Sequence, residues 1–187
     1  MGTKGNDIAA VTNHLDDHQP RWFAVYTKYK AEKLVVDHLT AKRIEAYVPL
    51  LTTTKRYTRK VKTYSKPLLN CYIFVKIAAP EYTRVLETQY VLGFVKVRKH
   101  LVSIPDDEIQ LLRRIVGEVE QVQSGPMSMQ AGQEVEIVAG NLTGIRGVLL
   151  TQKSKQVFVV RLDYIGVQLE MEVDKKLLSP VGHRLPV

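Results

Sequence analysis

The sequence predicts an α+β domain, a mixed sheet sandwiched by helices, followed by a small all-β barrel. Three observations carry that prediction. Between Trp22 and Gly117 the apolar spacing switches repeatedly between the period of strands and the i, i+3, i+4 spacing of helices. Beyond residue 129 only short alternating runs remain, separated by turn residues. Charge divides in the same place: residues 21–117 hold 19 Lys and Arg against 8 Asp and Glu, and residues 130–187 hold 7 against 6. The excess positive charge lies in the first part, which argues for two domains with different partners.

Residues 1–20 are polar, with Gly2, Gly5, Asn6, Asp16, Asp17 and Pro20, and read as a disordered leader. Trp22-Phe23-Ala24-Val25-Tyr26 is aromatic and β-branched, a first strand. Ala31, Leu34, Val35, His38 and Leu39 form one stripe of an amphipathic helix over roughly 29–43. Ala46 to Leu51 returns to strand character. The strand that ends at Lys76 has two apolar faces: Ile73, Val75 and Ile77 take one parity, Tyr72 and Phe74 the other. A one-sided core needs only the first, so the second must be buried against something else.

Pro80 suits the first turn of a second helix with Tyr82, Val85 and Leu86 on one face. In Val91 to Val97, Val95 and Val97 share a parity and Phe94 takes the other, which again sets an aromatic residue opposite the core. Pro105-Asp106-Asp107-Glu108 opens a third helix, with Arg113 and Arg114 near its end complementing the dipole. On that helix Ile109, Leu112 and Val116 make a stripe distinct from Leu111 and Ile115. The expected order is β-α-β-β-β-α-β-α over residues 21–117. Residues 118–129, with Gly125 and Pro126, lack periodicity and read as a linker. Residues 130–182 read as four or five short strands, and 183–187 as a tail.

Composition excludes several classes. In 187 residues, 45% hydrophobic and 25% charged content is ordinary for a folded chain. A single cysteine, Cys71, allows no intrachain disulfide and fits a reducing cytoplasm. No signal segment or run of transmembrane length is present in the sequence. His14, His18, His38, His100 and His183 are scattered without metal-ligand spacing, and His38 reads as structural. Asp106, Asp107 and Glu108 are consecutive and point in different directions on a helix, so they read as dipole complements rather than metal ligands. Cys71 has no nearby His or Asp partner. Without a Walker loop or dinucleotide fingerprint, the chain reads as a non-enzyme with no cofactor and no metal.

The densest charge is Lys55-Arg56-Tyr57-Thr58-Arg59-Lys60-Val61-Lys62-Thr63-Tyr64-Ser65-Lys66, which holds six cations, two tyrosines and no anion. Cations there would bind phosphates with counterion release, and Tyr57 or Tyr64 could stack on an unpaired base. A solvated loop that only aids solubility is the other reading. Lys28, Lys30, Lys96, Arg98 and Lys99 could extend the path.

Several segments together resemble the NusG family of bacterial transcription elongation factors from Trp22 to Val181. They are Trp22-Phe23-Ala24-Val25-Tyr26-Thr27 before a basic amphipathic helix, Tyr72-Ile73-Phe74-Val75, and Gly93-Phe94-Val95. The C-terminal part is similar to a KOW module, an SH3-like barrel, in Gly132-Gln133-Glu134-Val135-Glu136-Ile137-Val138 and Gly140-Asn141-Leu142-Thr143-Gly144-Ile145-Arg146-Gly147-Val148. Each piece alone is weak; their joint order is specific. The resemblance implies an N-terminal domain of the NGN type that binds RNA polymerase at the clamp helices and suppresses pausing or termination. Its docking surface would be Tyr72, Phe74, Phe94, Ile109 and Leu112, unless these cover a seam inside the domain or bury against the KOW module. The basic arm would be a hairpin or loop beside the DNA of the transcription bubble. Leu142, Ile145 and Ile165 would meet a small-subunit ribosomal protein or Rho, unless Ile145 and Ile165 merely cap the barrel.

Two departures from the family pattern point to a specialised paralogue of the RfaH and UpxY type acting on selected operons, and they count against Rho. Asn70-Cys71 stands where Pro-Gly is usual before the docking Tyr, and Leu142 where an aromatic residue is common. The Val-rich alternation favours the barrel over a helical refolding of that module. A cytoplasmic monomer is expected. The alternative is a ribosome-associated or RNA-binding KOW protein, against which the near-neutral charge of residues 130–187 weighs.

Overall fold

In the computed structural model, residues 13–57, 60–97, 99–118, 122–126, 132–152 and 155–181 are described. The elements run β1 (Arg21–Thr27), α1 (Glu32–Ala41), β2 (Glu45–Tyr47), β3 (Leu50–Tyr57), β4 (Lys60–Pro67), β5 (Tyr72–Ile77), α2 (Tyr82–Leu86), β6 (Val91–Phe94), β7 (Lys96–Val97) and β8 (His100–Leu101). They continue with α3 (Asp106–Glu118), β9 (Val122–Pro126), β10 (Gln133–Ile137), β11 (Arg146–Gln152), β12 (Lys155–Leu162), β13 (Val167–Met171) and β14 (Leu178–Pro180). The chain forms two compact units, one from residues up to Tyr47 with Cys71–Pro105, the other from Val48–Asn70 with Asp106 onward. No helix of the described residues is long and apolar enough to cross a membrane.

The first unit is built on an antiparallel sheet of order β2-β5-β1-β6. Register assigns its faces. Phe23 pairs with Val75 and Val25 with both Ile73 and Phe94, so these share one side with Ile77. That side is the helix-facing core: α1 packs along β2 and β5, α2 along β6, and Phe23, Val25, Ile73, Val75 and Ile77 are fully buried. The stripe of α1 runs Glu32, Val35 and Leu39, and Leu34, expected on it, is exposed. The reason is polar. The Glu32 carboxylate accepts the backbone N–H of Cys71 at 2.7 Å, which turns residue 32 inward.

Residues 13–20, expected as part of a disordered leader, are a docked strap; residues 1–12 of that leader lie outside the described residues. The His14 N–H donates to Leu101 O (3.0 Å) and the Ala79 N–H to Asp16 O (2.8 Å). Asp16 accepts the N–H groups of His18 and Gln19, both at 2.9 Å, and pairs with Arg21 at 3.5 Å. The backbone donors foremost hold its carboxyl below the usual range.

The second unit combines a two-stranded ribbon, β3 and β4, with α3 and a six-stranded antiparallel sheet of order β14-β10-β11-β12-β13-β9. The four expected runs are β10 to β13. A fifth strand falls within the expected four or five, and one further strand, β9, was not expected. β14 pairs with β10. β9 lies in the segment read as a linker: Val122 pairs with Met171 and is buried, and Ser124 Oγ donates to Leu68 O at 2.8 Å. Sheet hydrogen bonds, not an apolar period, hold this short strand. At Gly147 a Cβ would come 2.5 Å from Val159 O and 2.7 Å from the Phe158 ring, so β11 can cross β12 there only as glycine.

Candidate functional site

The face of the first unit's sheet opposite the helices carries Trp22, Ala24 and Tyr26 from β1, Tyr72, Phe74 and Lys76 from β5, and Tyr47 from β2. The sequence predicts Phe74 here as a docking residue. Its parity is as expected, yet it is fully buried and stacks on Tyr47 at 6.2 Å. Trp22 and Ala24 are buried too, and the Lys76 ammonium sits 5.8 Å from the Trp22 ring. This face is therefore closed along most of its length.

It opens at one end. Tyr72 is partly exposed, and its ring lies 4.8 Å from that of Tyr26, with a 3.2 Å hydrogen bond from Tyr72 Oη to Tyr26 Oη. Burial, and then the bond to Tyr26, push the Tyr72 hydroxyl well above its ordinary pKa, so Tyr72 stays neutral. The docking set expected from the sequence omits Tyr26. A signal for it exists: it has the parity of Trp22 and of the outer face, and it lies near the end of the first strand. Beside the pair, the Lys28 ammonium lies 5.8 Å from the Tyr90 ring and that of Lys30 lies 5.3 Å from Tyr29.

Phe94 corrects the sequence reading. It is buried on the helix side, stacked on Tyr82 of α2 at 4.7 Å and edge-on to Phe23 at 6.3 Å. It pairs with Val25, and its partner strand shifts register between Tyr26 and Thr27. The direct pairing with core-facing Val25, before that shift, puts Phe94 on the helix side. Ile109 and Leu112 are also buried, together with Ile115, so the stripe expected with Val116 is instead Ile109, Leu112 and Ile115.

Cys71 precedes Tyr72 with φ 64°, the left-handed region in which a side chain is disfavoured and glycine is not. The glycine usual there in the family has this physical reason, and Cys71 does without it. Cys71→Gly should raise stability by about 0.5–1 kcal/mol. A urea melt reads the change; a decrease would mean that the thiol packs well enough to outweigh backbone strain.

The basic arm is an antiparallel ribbon. Register pairs Leu51 with Lys66, Thr53 with Tyr64, Lys55 with Lys62 and Tyr57 with Lys60. Six of the eight candidate nucleic-acid residues, Lys55, Tyr57, Lys60, Lys62, Tyr64 and Lys66, thus occupy positions of one parity. Arg56 pairs with Val61 at the other parity, and Arg59 lies outside the described residues. Lys62, Tyr64 and Lys66 are exposed. Like charges directly opposite one another disfavour a ribbon, so the Lys55–Lys62 pairing suits a surface that meets a polyanion.

Ile145 and Ile165 are buried and Leu142 is half-buried. α3 lies against the turn that carries Leu142. Arg114 Nη2 donates to Asn141 O at 2.9 Å and Thr143 O at 2.7 Å, and Asn141 Nδ2 donates to Glu118 Oε2 at 2.8 Å. Among the described residues no group of three or more His, Cys, Asp or Glu could hold a metal ion.

A family model described as NusG, transcription termination factor nusG, matches residues 20–113 of the chain. The solved structure reported as "Domain interaction in Thermotoga maritima NusG" is 18% identical, covers 87% of this chain and 98% of that one, and has a TM-score of 0.51. A second, the MjSpt4:Spt5 complex in conformation A, is also 18% identical over 86% of this chain and 97% of that one. Its TM-score is 0.31, so the fold argument rests on the first. No curated protein is a significant match.

Proposed function

The chain belongs to the NusG family of transcription factors, and from that premise we propose that it binds RNA polymerase at the clamp helices and suppresses pausing or termination. The observation that carries this reading is the Tyr26–Tyr72 pair, two tilted rings joined by a hydrogen bond at the open end of an otherwise closed sheet face. Amphipathic aromatics that keep one side wet are the usual anchors of protein interfaces. The docking surface proposed is this pair. Phe74 underlies it as support, Phe94 belongs to the core, and Ile109 and Leu112, both buried, could take part only with α3 displaced.

The β3–β4 ribbon is proposed to lie on DNA of the transcription bubble, its one-parity lysines tracking phosphates. The six-stranded sheet is proposed to be a KOW barrel, and residues 21–117 and 130–182 to be the two functional domains. Leu142, Ile145 and Ile165 would meet a small-subunit ribosomal protein, again only with α3 displaced. The strained Cys71 supports specialisation: a departure from the favourable glycine suggests a docking strand adapted for selected operons rather than general use.

The test is co-purification of polymerase with the full chain carrying Tyr26→Ala and Tyr72→Ala. Both residues retain exposure, so the fold should persist while polymerase binding falls at least tenfold, about the effect of removing one interface anchor. Unchanged binding would remove the pair from the docking surface and the polymerase reading with it.

A further inference from the structure

The buried stripe of α1 starts on a carboxylate. Glu32 precedes Val35 and Leu39 on that stripe and is only 2% exposed. An apolar side chain would fill such a position at no electrostatic cost, whereas a buried carboxylate persists where a donor meets it. The donor is the backbone N–H of Cys71, 2.7 Å from Oε1, a short bond of the charge-assisted kind.

That N–H belongs to a strained residue. Cys71 has φ 64°, and two further non-glycine residues with left-handed φ, Lys30 at 63° and Tyr90 at 70°, lie in turns fastened to the end of β1. The Thr27 N–H donates to Cys71 O and the Lys28 N–H to Tyr90 O, both at 2.9 Å. The Ala31 N–H closes the turn through Lys30 on Lys28 O at 3.1 Å. Residues in this region persist only where their surroundings over-determine them. Cys71 is gripped at both backbone groups, its carbonyl by Thr27 and its N–H by Glu32. Thr27 follows Tyr26 and Cys71 precedes Tyr72, and the two tyrosines face each other at the end of the β1–β5 pairing. The direction in which Tyr72 leaves the turn is thus set by the backbone that these two bonds hold.

We propose that Glu32 is a positioning residue for the Tyr26–Tyr72 pair: by accepting the Cys71 N–H, its carboxylate fixes the left-handed turn that presents Tyr72 to Tyr26. Without that acceptor Cys71 relaxes to negative φ, the peptide it donates from rotates, and Tyr72 leaves its 4.8 Å contact with Tyr26. The same bond explains how a residue other than glycine holds this turn, since it offsets strain that glycine would not incur. The consequence for polymerase rests on the docking role proposed above; the positioning does not.

Nuclear Overhauser contacts between the rings of Tyr26 and Tyr72, measured in the full chain, read the pair directly. In Glu32→Ala these contacts should be lost, and polymerase binding should fall about tenfold, the effect of removing one interface anchor. Glu32→Gln keeps an acceptor oxygen and should keep the contacts. Cys71→Gly added to Glu32→Ala should restore them, because the left-handed turn then carries no strain. Residue 71 is partly exposed, so water can take the freed N–H. A general loss of packing under α1 would not be repaired by that second substitution. Contacts that survive Glu32→Ala, vanish equally in Glu32→Gln, or stay absent in the double variant overturn the assignment. Should Glu32→Ala not fold, the double variant decides: ring contacts uphold the assignment, and their absence or an unfolded chain overturns it. If the contacts are lost in Glu32→Ala while polymerase binding holds, Glu32 still positions the pair, and the pair leaves the docking surface.

Discussion

Phe74→Ala should destabilise the protein by about 3–5 kcal/mol, the usual cost of deleting a fully buried aromatic ring. Phe74 has no exposed surface. Its cross-strand neighbours on the closed face are Ala24 and Tyr47, so the cavity left behind has a small residue on one side and a large planar ring on the other. Neither can refill it without moving off rotamer. In a chain of this size the midpoint of thermal unfolding should drop by roughly 10 °C. Tyr72→Ala, two residues earlier and open to solvent, should cost about 1 kcal/mol. The contrast separates two roles that sequence parity merges. Weaker polymerase binding in Phe74→Ala would report on folding, whereas the same effect in Tyr72→Ala would report on docking. Should Phe74→Ala melt within 1 kcal/mol of the wild-type chain (roughly the ordinary scale for a surface site), the ring is at the surface in solution and returns to the docking set.

The same residue shows where the sequence could be read and where it could not. The two apolar faces of β5 were legible because strand parity is a local property, fixed by the backbone within six residues. That one face is a helix-covered core and the other closed around Trp22, Ala24 and Tyr47 is a long-range fact. Phe94 failed for a related reason. In a four-residue strand that ends at Phe94, alternation is too short to fix a face, and the long-range pairing with Val25 decided it. The third helix was legible from Pro105, its acids and its apolar period. Its fastening to the 141–143 turn was not, because it depends on Arg114 finding carbonyl groups 27 and 29 residues away. Glu108 looked like one of three helix-start acids, and only burial sets it apart.

Replacing Lys55, Lys60, Lys62 and Lys66 with Ser should lower the salt dependence of binding to single-stranded DNA by a slope of about 3, at roughly 0.7 for each phosphate no longer neutralised. Affinity near physiological salt should fall by about a hundredfold. The choice of four comes from register rather than from charge density, since these lysines occupy positions of one parity in the β3–β4 ribbon. Arg56→Ser, at the other parity opposite Val61, should change the slope by far less than one lysine does. Stability supplies the control. Lys55 and Lys62 pair directly across the ribbon, and removing that like-charge pair should stabilise it by a few tenths of a kcal/mol, at about the lower end of cross-strand pair energies. A variant that binds DNA more weakly while melting no earlier keeps its fold and has given up only its hold on the phosphates. An unchanged slope would make the ribbon a solvated arm, and an equal effect from Arg56→Ser would mean that total charge, not the face set by register, governs binding.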